Sequence, residues 1–450
     1  MSRAAAVPGP RTFSPGGSYR PFARDPLGFL TGLRRTYGTV ARFRVGPRRV
    51  YLLSDPELVR EVLVVHAARV RKDRGLEAAR TVLGDGLLTS SGETWRRHRR
   101  LVQPAFHPDR IAAYAPVMAA RAAARVERWR DGQRLDAAAE MAALALEIVA
   151  AALFGAEVGR EVDRIAATVG EAVDAFRISR IPLAPLLDRL PVASTRRVRR
   201  AREALDRTVL GFVAARRARP GDDLVSALIG ARDAEGGLGL TDREVRDEAM
   251  TLFLAGHETT ANALAWTIDL VGRHPEVEAR LRDEVARATR GRPPSAKDVP
   301  CLEYVRRVLT EAMRLYPPAW TVARRAVEDL ELPGVTIRRG ETAVMSQWVI
   351  HRDPVLYPEP ERFDPDRWLP ERHARLPRLA YFPFGAGPRI CVGEGFAWTE
   401  AVLALAAIVR RVRLVPLSPT PPVPVPRITL RPGGGVPVRV EVAPVRFDAG

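Results

Sequence analysis

The stretch that decides the fold is Phe384–Gly393, which reads F-G-A-G-P-R-I-C-V-G. It places one cysteine, Cys391, among glycines, and an apolar helical pattern begins near Gly395. Glycines adopt positive φ angles and let backbone N–H groups approach a sulfur atom closely. A helix that follows directly would turn its positive end toward that sulfur and favour the thiolate. The pattern predicts either a nucleophile, which would need a partner histidine, or a metal ligand.

The composition of the chain excludes several other classes of protein. The 450 residues contain two cysteines, Cys301 and Cys391, so a disulfide scaffold or a four-cysteine metal site is excluded. Cys301 is interpreted as a buried structural cysteine. Of the 71 basic residues, two are lysines and 71 − 2 = 69 are arginines, spread along the whole chain. The formal charge of +18 is therefore attributed to source composition, and we expect no nucleic-acid partner.

The chain is predicted to be mainly α with small β-sheets, an α+β class. Residues 1–25 are rich in Pro and Gly and predict a flexible lead, and 26–450 predict one large, mainly helical domain, which the family resemblance given below implies is a single catalytic domain. Alternating residues in Val40–Val45 and 49–53 predict a hairpin around Gly46-Pro47. A second hairpin is predicted across Gly433–Gly435.

The N-terminal residues carry no apolar run of the length that a signal peptide or a membrane span requires. We therefore expect a cytoplasmic protein without a stable membrane anchor. The sequence contains neither a P-loop nor a complete G-x-G-x-x-G fingerprint. If the protein is a redox enzyme, its electrons must come from a separate protein.

The cysteine stretch resembles the heme-binding signature F-x-x-G-x-R-x-C-x-G of the cytochrome P450 family and matches it at every specified position. The resemblance implies a cytochrome P450 fold with heme b (iron protoporphyrin IX) between a long central helix and the cysteine loop. In that family the Cys391 thiolate would be the axial iron ligand. Arg389 would bind a heme propionate, and Phe384 would pack on the sulfur side of the heme.

Two further motifs resemble those of the same family. Glu311 and Arg314, one helical turn apart, match its E-x-x-R pattern, and residues 360–363 match its P-E-R-F pattern. The resemblance implies that Glu311, Arg314 and Arg362 form a buried structural charge cluster. Taken without the resemblance, Glu311 and Arg314 would be a solvated surface pair of little energetic value.

Thr241–Arg273 predicts one long helix that opens with the capping-box pattern T-D-R-E. Its middle reads A-G-H-E-T-T, which is similar to the oxygen-binding motif of the family. The resemblance implies that Thr259 and Glu258 are catalytic and relay protons through water to dioxygen. Gly256 would leave room for dioxygen. Without the resemblance, the motif would be an exposed polar turn.

Three more residues are assigned to the heme by the resemblance. Trp95 and Arg99 lie four residues apart, hence on one helical face, and match the W-x-x-x-R pattern that binds a propionate. Arg324 occupies a further propionate-binding position, with Arg325 as an adjacent competitor.

The resemblance implies a heme-thiolate monooxygenase that inserts one oxygen atom of O₂ into a lipophilic small molecule, such as a terpenoid, a fatty acid or a polyketide-like secondary metabolite. The implied electron donors are a ferredoxin and a ferredoxin reductase, and we expect a monomer. Two alternatives stay open: a peroxide-driven or redox-neutral heme-thiolate enzyme, and a non-catalytic heme-binding protein. Relatives of the first kind usually lack the acid–alcohol pair that this chain has at Glu258 and Thr259.

Overall fold

The computed structural model describes residues 7–155, 193–232, 237 and 239–442. The described residues form two compact units. The first unit comprises Met1–Arg74 and Thr310–Cys391, and the second comprises Gly75–Leu309 and Val392–Gly450. Helices dominate the described chain and the sheets are small, which confirms the predicted fold class.

The first unit contains most of the strands. Its α-helices are Tyr19–Arg24, Pro26–Tyr37, Pro56–Arg60, Gln347–Ile350 and Pro370–His373. Its strands are Val40–Val45, Arg48–Leu53, Val70–Lys72, Val322–Ala326, Leu330–Leu332, Val335–Ile337 and Thr342–Met345. Helices Arg74–Ala78 and Glu303–Leu315 contain the chain positions at which one unit gives way to the other.

The second unit is mainly helical. Its α-helices are Arg80–Leu83, Gly92–Val102, Pro108–Glu127, Ala137–Phe154, Ala193–Ala218, Leu224–Gly230, Asp242–Arg273, Pro275–Thr289 and Glu394–Arg411. Its strands are Arg134–Asp136, Val412–Pro416, Val423–Pro426, Leu430–Gly433 and Pro437–Val442. Among the helices that the structure describes, none is both long and apolar enough to cross a membrane.

A five-stranded mixed sheet organises the first unit. The predicted hairpin is confirmed, since Val40–Val45 pairs antiparallel with Arg48–Leu53. Thr342–Met345 adds parallel to its second strand, followed by Val322–Ala326 and Val70–Lys72. One face of the sheet covers a buried apolar cluster. The sheet therefore gives Arg324, on its fourth strand, a rigid support.

The Pro/Gly-rich lead makes backbone contacts with the first strand of this sheet. The Arg42 N–H donates to the Pro8 carbonyl at 2.8 Å, and the Ser18 N–H donates to the Arg44 carbonyl at 2.7 Å. The lead then forms the short helix Tyr19–Arg24. In the described part of the lead, these hydrogen bonds hold the backbone against the sheet.

The helix Asp242–Arg273, called the long helix below, is the centre of the second unit. It begins as predicted, because Thr241 is its N-cap and forms a complete capping box with Glu244. It packs against helices Ala137–Phe154 and Glu394–Arg411. Most of its side chains are buried, and a helix that is buried on all sides must satisfy its polar groups inside the protein.

The predicted C-terminal hairpin across Gly433–Gly435 is wrong. Leu430–Gly433 pairs with Val423–Pro426, whereas Pro437–Val442 pairs with Val412–Pro416 in a different sheet. The reason is local: Gly434 and Gly435 have φ values of 77° and 80°, and a Cβ at Gly435 would overlap the Asp136 carboxylate. Two successive left-handed residues send the chain from one sheet to the other.

Candidate active site

Cys391 ends a loop that is shaped by two glycines and by its own hydrogen bonds. Gly385 and Gly387 have φ values of 77° and 70°, which residues with a Cβ rarely adopt. A Cβ at Gly387 would also overlap the carbonyl oxygen of Leu63. The Cys391 N–H donates to the Phe384 carbonyl at 3.0 Å. The two glycines are therefore required by backbone geometry.

The cysteine loop, residues 384–391, has the properties that an axial thiolate needs. Cys391 is exposed, and Phe384 and Arg389 are partly exposed. The backbone N–H groups of Ile390 and Cys391 are satisfied inside the loop, by the carbonyls of Gly387 and Phe384. The sulfur is therefore accessible on a preformed support, which fits a heme-iron ligand.

Arg324 is the other charged residue that the resemblance assigns to a propionate in this unit. It lies partly buried on strand Val322–Ala326, and its Nη1 donates to the Ala323 carbonyl at 3.0 Å. Burial lowers the pKa of Arg324 to about 10, although the Asp73 carboxylate opposes the shift. A partly desolvated guanidinium is stabilised by an added anion, so Arg324 fits a carboxylate of the heme.

Glu311 and Arg314 form a buried ion pair in the first unit. Both side chains are 0% exposed. The Arg314 Nε and Nη2 atoms each donate to a different oxygen of Glu311 at 2.8 Å. Arg314 also donates to the carbonyls of His351, Pro360 and Arg362. The pair thus ties the helix that carries it to the loop 351–362.

The predicted third member of this cluster, Arg362, is corrected by the structure. Its side chain is 64% exposed and contacts Glu359 at 3.2 Å, and only its backbone carbonyl reaches Arg314. Arg367 takes its place at 3.3 Å from Glu311 Oε1. The Trp368 Nε1–H donates to the other oxygen at 2.9 Å. A short 3-10 helix, Pro365–Trp368, turns both side chains inward.

The long helix has one accessible stretch in its buried middle. Ala255 is exposed and Thr259 is partly exposed, whereas His257, Glu258 and Thr260 are buried. Ala255 and Thr259 are four residues apart and share a face. The Thr259 hydroxyl donates to the Ala255 carbonyl at 2.7 Å. This face offers a small residue and a hydroxyl, which fits a surface that receives heme and a small ligand.

Gly256 has a packing role in addition to the predicted one. A Cβ at this position would lie 3.2 Å from Val149 Cγ2, on helix Ala137–Phe154. A side chain at this position would need Val149 to move by a few tenths of an ångström, so the close approach of the two helices favours glycine. Gly256 is partly exposed. Its other predicted role, which is to leave room for dioxygen, stays a prediction.

Glu258 is tied to a distant strand by contacts that no local pattern indicates. Its Oε1 accepts from the Thr429 hydroxyl at 2.5 Å and from Arg431 Nε at 2.7 Å. Arg431 Nη2 also lies 2.7 Å from the same oxygen. Thr429 and Arg431 are more than 170 positions away from Glu258 in the sequence. They belong to the segment for which the sequence predicted a hairpin across Gly433–Gly435.

Trp95 and Arg99 lie partly exposed on helix Gly92–Val102, one turn apart, and Arg99 Nε donates to Gln103 Oε1 at 3.1 Å.

His98, on the same helix, is buried, with Nδ1 at 2.7 Å from Glu248 and Nε2 at 3.1 Å from Glu244. Burial alone would lower the pKa of His98, but the two glutamates outweigh it and raise that pKa. This clamp holds the helix that carries Trp95 and Arg99 against the long helix, and the sequence analysis missed it.

The cysteine loop of the first unit and the accessible stretch of the long helix in the second are each compatible with an enzyme that binds a heme through a thiolate. The chain belongs to the cytochrome P450 family, whose sequence model, "Cytochrome P450", matches residues 13–435. It is accordingly a heme-dependent monooxygenase with heme b as its cofactor, and it takes electrons from redox partners.

Curated relatives share this family over nearly their full length. Cyclooctatin synthase of Streptomyces melanosporofaciens is 43% identical, with 91% of this chain and 90% of that protein covered. Cyclooctat-9-en-7-ol 5-monooxygenase of the same organism is 41% identical, with 88% and 87% covered. Pentalenene oxygenase of Streptomyces avermitilis is 38% identical, with 87% of each chain covered. The chain is thus similar to these three Streptomyces enzymes over 87% to 91% of its length.

Proposed function

We propose that this monooxygenase hydroxylates a terpenoid. The observation that carries the proposal is the likeness to three Streptomyces oxygenases at 38% to 43% identity over at least 87% of each chain. Two of their names contain cyclooctat-9-en-7-ol and pentalenene as the compounds acted on. The segment 417–427, which belongs to the substrate region in this family, has Arg427 as its one charged residue. An apolar substrate suits such a lining.

The proposed roles of the site residues follow from their chemistry. Bound heme supplies the activation of O₂, from which one atom enters a substrate C–H bond and the other leaves as water. When heme is bound, the Cys391 thiolate would ligate the iron and Phe384 would shield the sulfur. Trp95, Arg99, Arg324 and Arg389 would donate hydrogen bonds to the propionates. Thr259 and Glu258 hold water and pass protons to the site where the oxygen is reduced. Residues 26–450 serve as the one catalytic domain.

A ferredoxin with its reductase is the proposed electron source, and the helix Gly92–Val102 is its proposed docking surface. Arg96 and Arg100 are exposed on this helix. Arg97 is paired with Glu244 at 2.7 Å and is 25% exposed, whereas Arg96 is paired with Glu93 at 2.9 Å but stays 57% exposed. Charge reversal at Arg96 and Arg100 should raise the KM for ferredoxin at low salt, with a smaller effect at high salt. An unchanged KM at low salt would contradict this surface. We also propose that the protein is cytoplasmic.

The substrate is tested by titrating the purified ferric enzyme with a matched panel of terpenes, terpene alcohols and fatty acids. A terpenoid should displace the water ligand and shift the Soret band to shorter wavelength at micromolar concentration. Turnover with NADPH and a ferredoxin system under ¹⁸O₂ should then add one labelled oxygen. A response to fatty acids alone would refute the terpenoid proposal. Product with peroxide but none with NADPH would refute the electron source.

Cys391→Ala is the control for the site. The reduced carbon monoxide complex of the native enzyme should show the red-shifted band of thiolate ligation, and the variant should lack it. Cys301→Ala is the matched control, because Cys301 is also exposed but lies in the 3-10 helix Ala296–Cys301. The prediction that Cys301 is buried is therefore wrong, since it ends a short surface helix. A variant at Cys391 that kept the band would contradict the assignment of the ligand.

A further inference from the structure

One face of the long helix is joined to the strand Leu430–Gly433 and to the residue before it. Glu258, Asn262 and Trp266 lie four residues apart and therefore share this face. Asn262 Nδ2 donates to the Thr429 hydroxyl oxygen at 3.0 Å, and Trp266 Nε1 donates to the Leu430 carbonyl at 3.0 Å. Together with the contacts of Glu258, they join the strand and the helix over two helical turns.

The contacts to Glu258 all converge on one of its two carboxylate oxygens. Oε1 accepts from the Thr429 hydroxyl and from the Arg431 guanidinium, at 2.5 and 2.7 Å. Among the described residues, no donor is assigned to Oε2. The Glu258 side chain is 10% exposed and that of Arg431 is 28% exposed. One oxygen is therefore fixed, and the other stays available for water.

We propose that Arg431, assisted by Thr429, is the positioning residue that keeps Glu258 in the conformation in which it delivers protons. This inference rests on the proposed catalytic role of Glu258. Hydrogen bonds between charged groups are short and directional, so an arginine on a sheet strand holds the carboxylate in one rotamer. Proton relay through water requires the acid at a fixed place beside Thr259, and small displacements reduce its rate.

Of the ionisable groups near Glu258, Arg431 is the one whose charge can hold the carboxylate. His257 precedes Glu258 and is buried, and burial lowers its pKa to about 4, so the imidazole is neutral at pH 7. Arg431 forms the one ion pair that Glu258 makes within the described part of the chain. Removal of Arg431 would leave a buried carboxylate without a counter-charge, held by the Thr429 hydroxyl alone among the described donors.

The experiment compares four single variants of the heme-loaded enzyme. Arg431→Met removes the charge and keeps the length, and Arg431→Lys keeps the charge. Glu258→Gln removes the acid. Arg439→Met is the matched control, because Arg439 is 48% exposed on strand Pro437–Val442 and pairs with Glu441. For each variant we measure product formed per NADPH consumed, hydrogen peroxide released, the substrate KM and the solvent isotope effect.

We expect Arg431→Met to lower product formation about tenfold, which is less than the full loss of a general acid would cause. More hydrogen peroxide should be released, the solvent isotope effect should be larger, and the substrate KM should be unchanged. Arg431→Lys should restore most of the coupling, and Arg439→Met should match the native enzyme. If Arg431→Met behaves like Arg439→Met, or changes only the KM, the positioning role is refuted.

A second readout does not depend on turnover. Urea midpoints of the holoenzyme with Arg431→Met, Glu258→Gln and both together form a double-mutant cycle, which should be non-additive because each change breaks the same contact. Additive midpoints would overturn the pairing. If Arg431→Met fails to fold, Thr429→Val removes one donor at equal size, and full coupling in that variant would count against the proposal.

The outcomes separate this inference from the proposed function. A normal Glu258→Gln enzyme would refute the catalytic role of Glu258 and with it the role of Arg431. An impaired Glu258→Gln enzyme beside a normal Arg431→Met enzyme would refute the positioning role alone.

Discussion

The replacement of Arg367 by alanine should destabilise the protein more than the same change at Arg362. Five donors converge on the fully buried carboxylate of Glu311. They are Arg314 Nε and Nη2 at 2.8 Å, Trp368 Nε1 at 2.9 Å, the Asp364 N–H at 3.1 Å and Arg367 Nε at 3.3 Å. Arg367 also donates to the Glu359 carbonyl at 2.7 Å. Its side chain is 11% exposed, so water replaces these bonds poorly.

The magnitudes follow from the partners that remain. Arg367→Ala leaves Arg314 as the counter-charge and removes the hydrogen bonds to Glu311 and to the Glu359 carbonyl, so we expect a loss of about 2–3 kcal/mol. Arg314→Ala leaves the buried carboxylate without its main partner, at about 3–5 kcal/mol. Arg362→Ala removes a contact between side chains that are 64% and 71% exposed, and we expect below about 1 kcal/mol.

The assay is guanidinium denaturation of the holoenzyme, followed by far-ultraviolet circular dichroism, with heme loss recorded separately in the Soret band. The three variants are compared at equal heme content, because unfolding is linked to cofactor release. Equal losses for Arg362→Ala and Arg367→Ala, or a larger loss for Arg362→Ala, would refute the reasoning and return Arg362 to the cluster.

Two further predictions concern pH. The pKa of His98 is raised in the folded protein, so its stabilising charge is fully present below the ordinary value of 6.5 and is lost as the pH rises through the folded pKa. The difference in urea midpoint between native protein and His98→Gln should be larger at about pH 6 than at about pH 9, and a difference that grows with pH would contradict the charged clamp. Glu400 is fully buried, and burial raises its pKa well above 4.5 although the Thr260 hydroxyl opposes this. The urea midpoint of the native protein should therefore fall, relative to that of Glu400→Gln, as the pH rises above about 4.5. If the difference between the two midpoints is the same at pH 5 and at pH 8, ionisation of Glu400 does not destabilise the protein.

Much of this site is predictable because its motifs are local. The left-handed turns at Gly385 and Gly387 need glycine, and the capping box of the long helix needs Thr241 and Glu244, so each leaves a readable mark. The helical spacing of Trp95 and Arg99 is likewise set by the period of the helix. Such features are encoded within a few residues, so they can be recognised without knowledge of the rest of the chain.

The partners of buried charges are not predictable in this way. Arg362 and Arg367 have the same side chain, five residues apart, and one short 3-10 turn decides which of them meets Glu311. The pairing of Glu258 with Arg431 depends on which strand the chain forms after Pro426. The sequence pattern favoured a hairpin across Gly433–Gly435, because strand pairing between sheets has no local signal.

By itself, the sequence determined the class of fold, and it predicted the glycine turns of the cysteine loop and the start of the long helix, since glycine conformation and helix capping act over short distances. The roles of Cys391, Glu258 and Thr259 stay predictions that rest on the family motifs. Only the tertiary structure decided which charges the buried residues face: Arg367 for Glu311, Arg431 for Glu258, and Glu244 with Glu248 for His98. Electrostatic partners are chosen by the packing of elements far apart in the chain, and burial makes each choice energetically large.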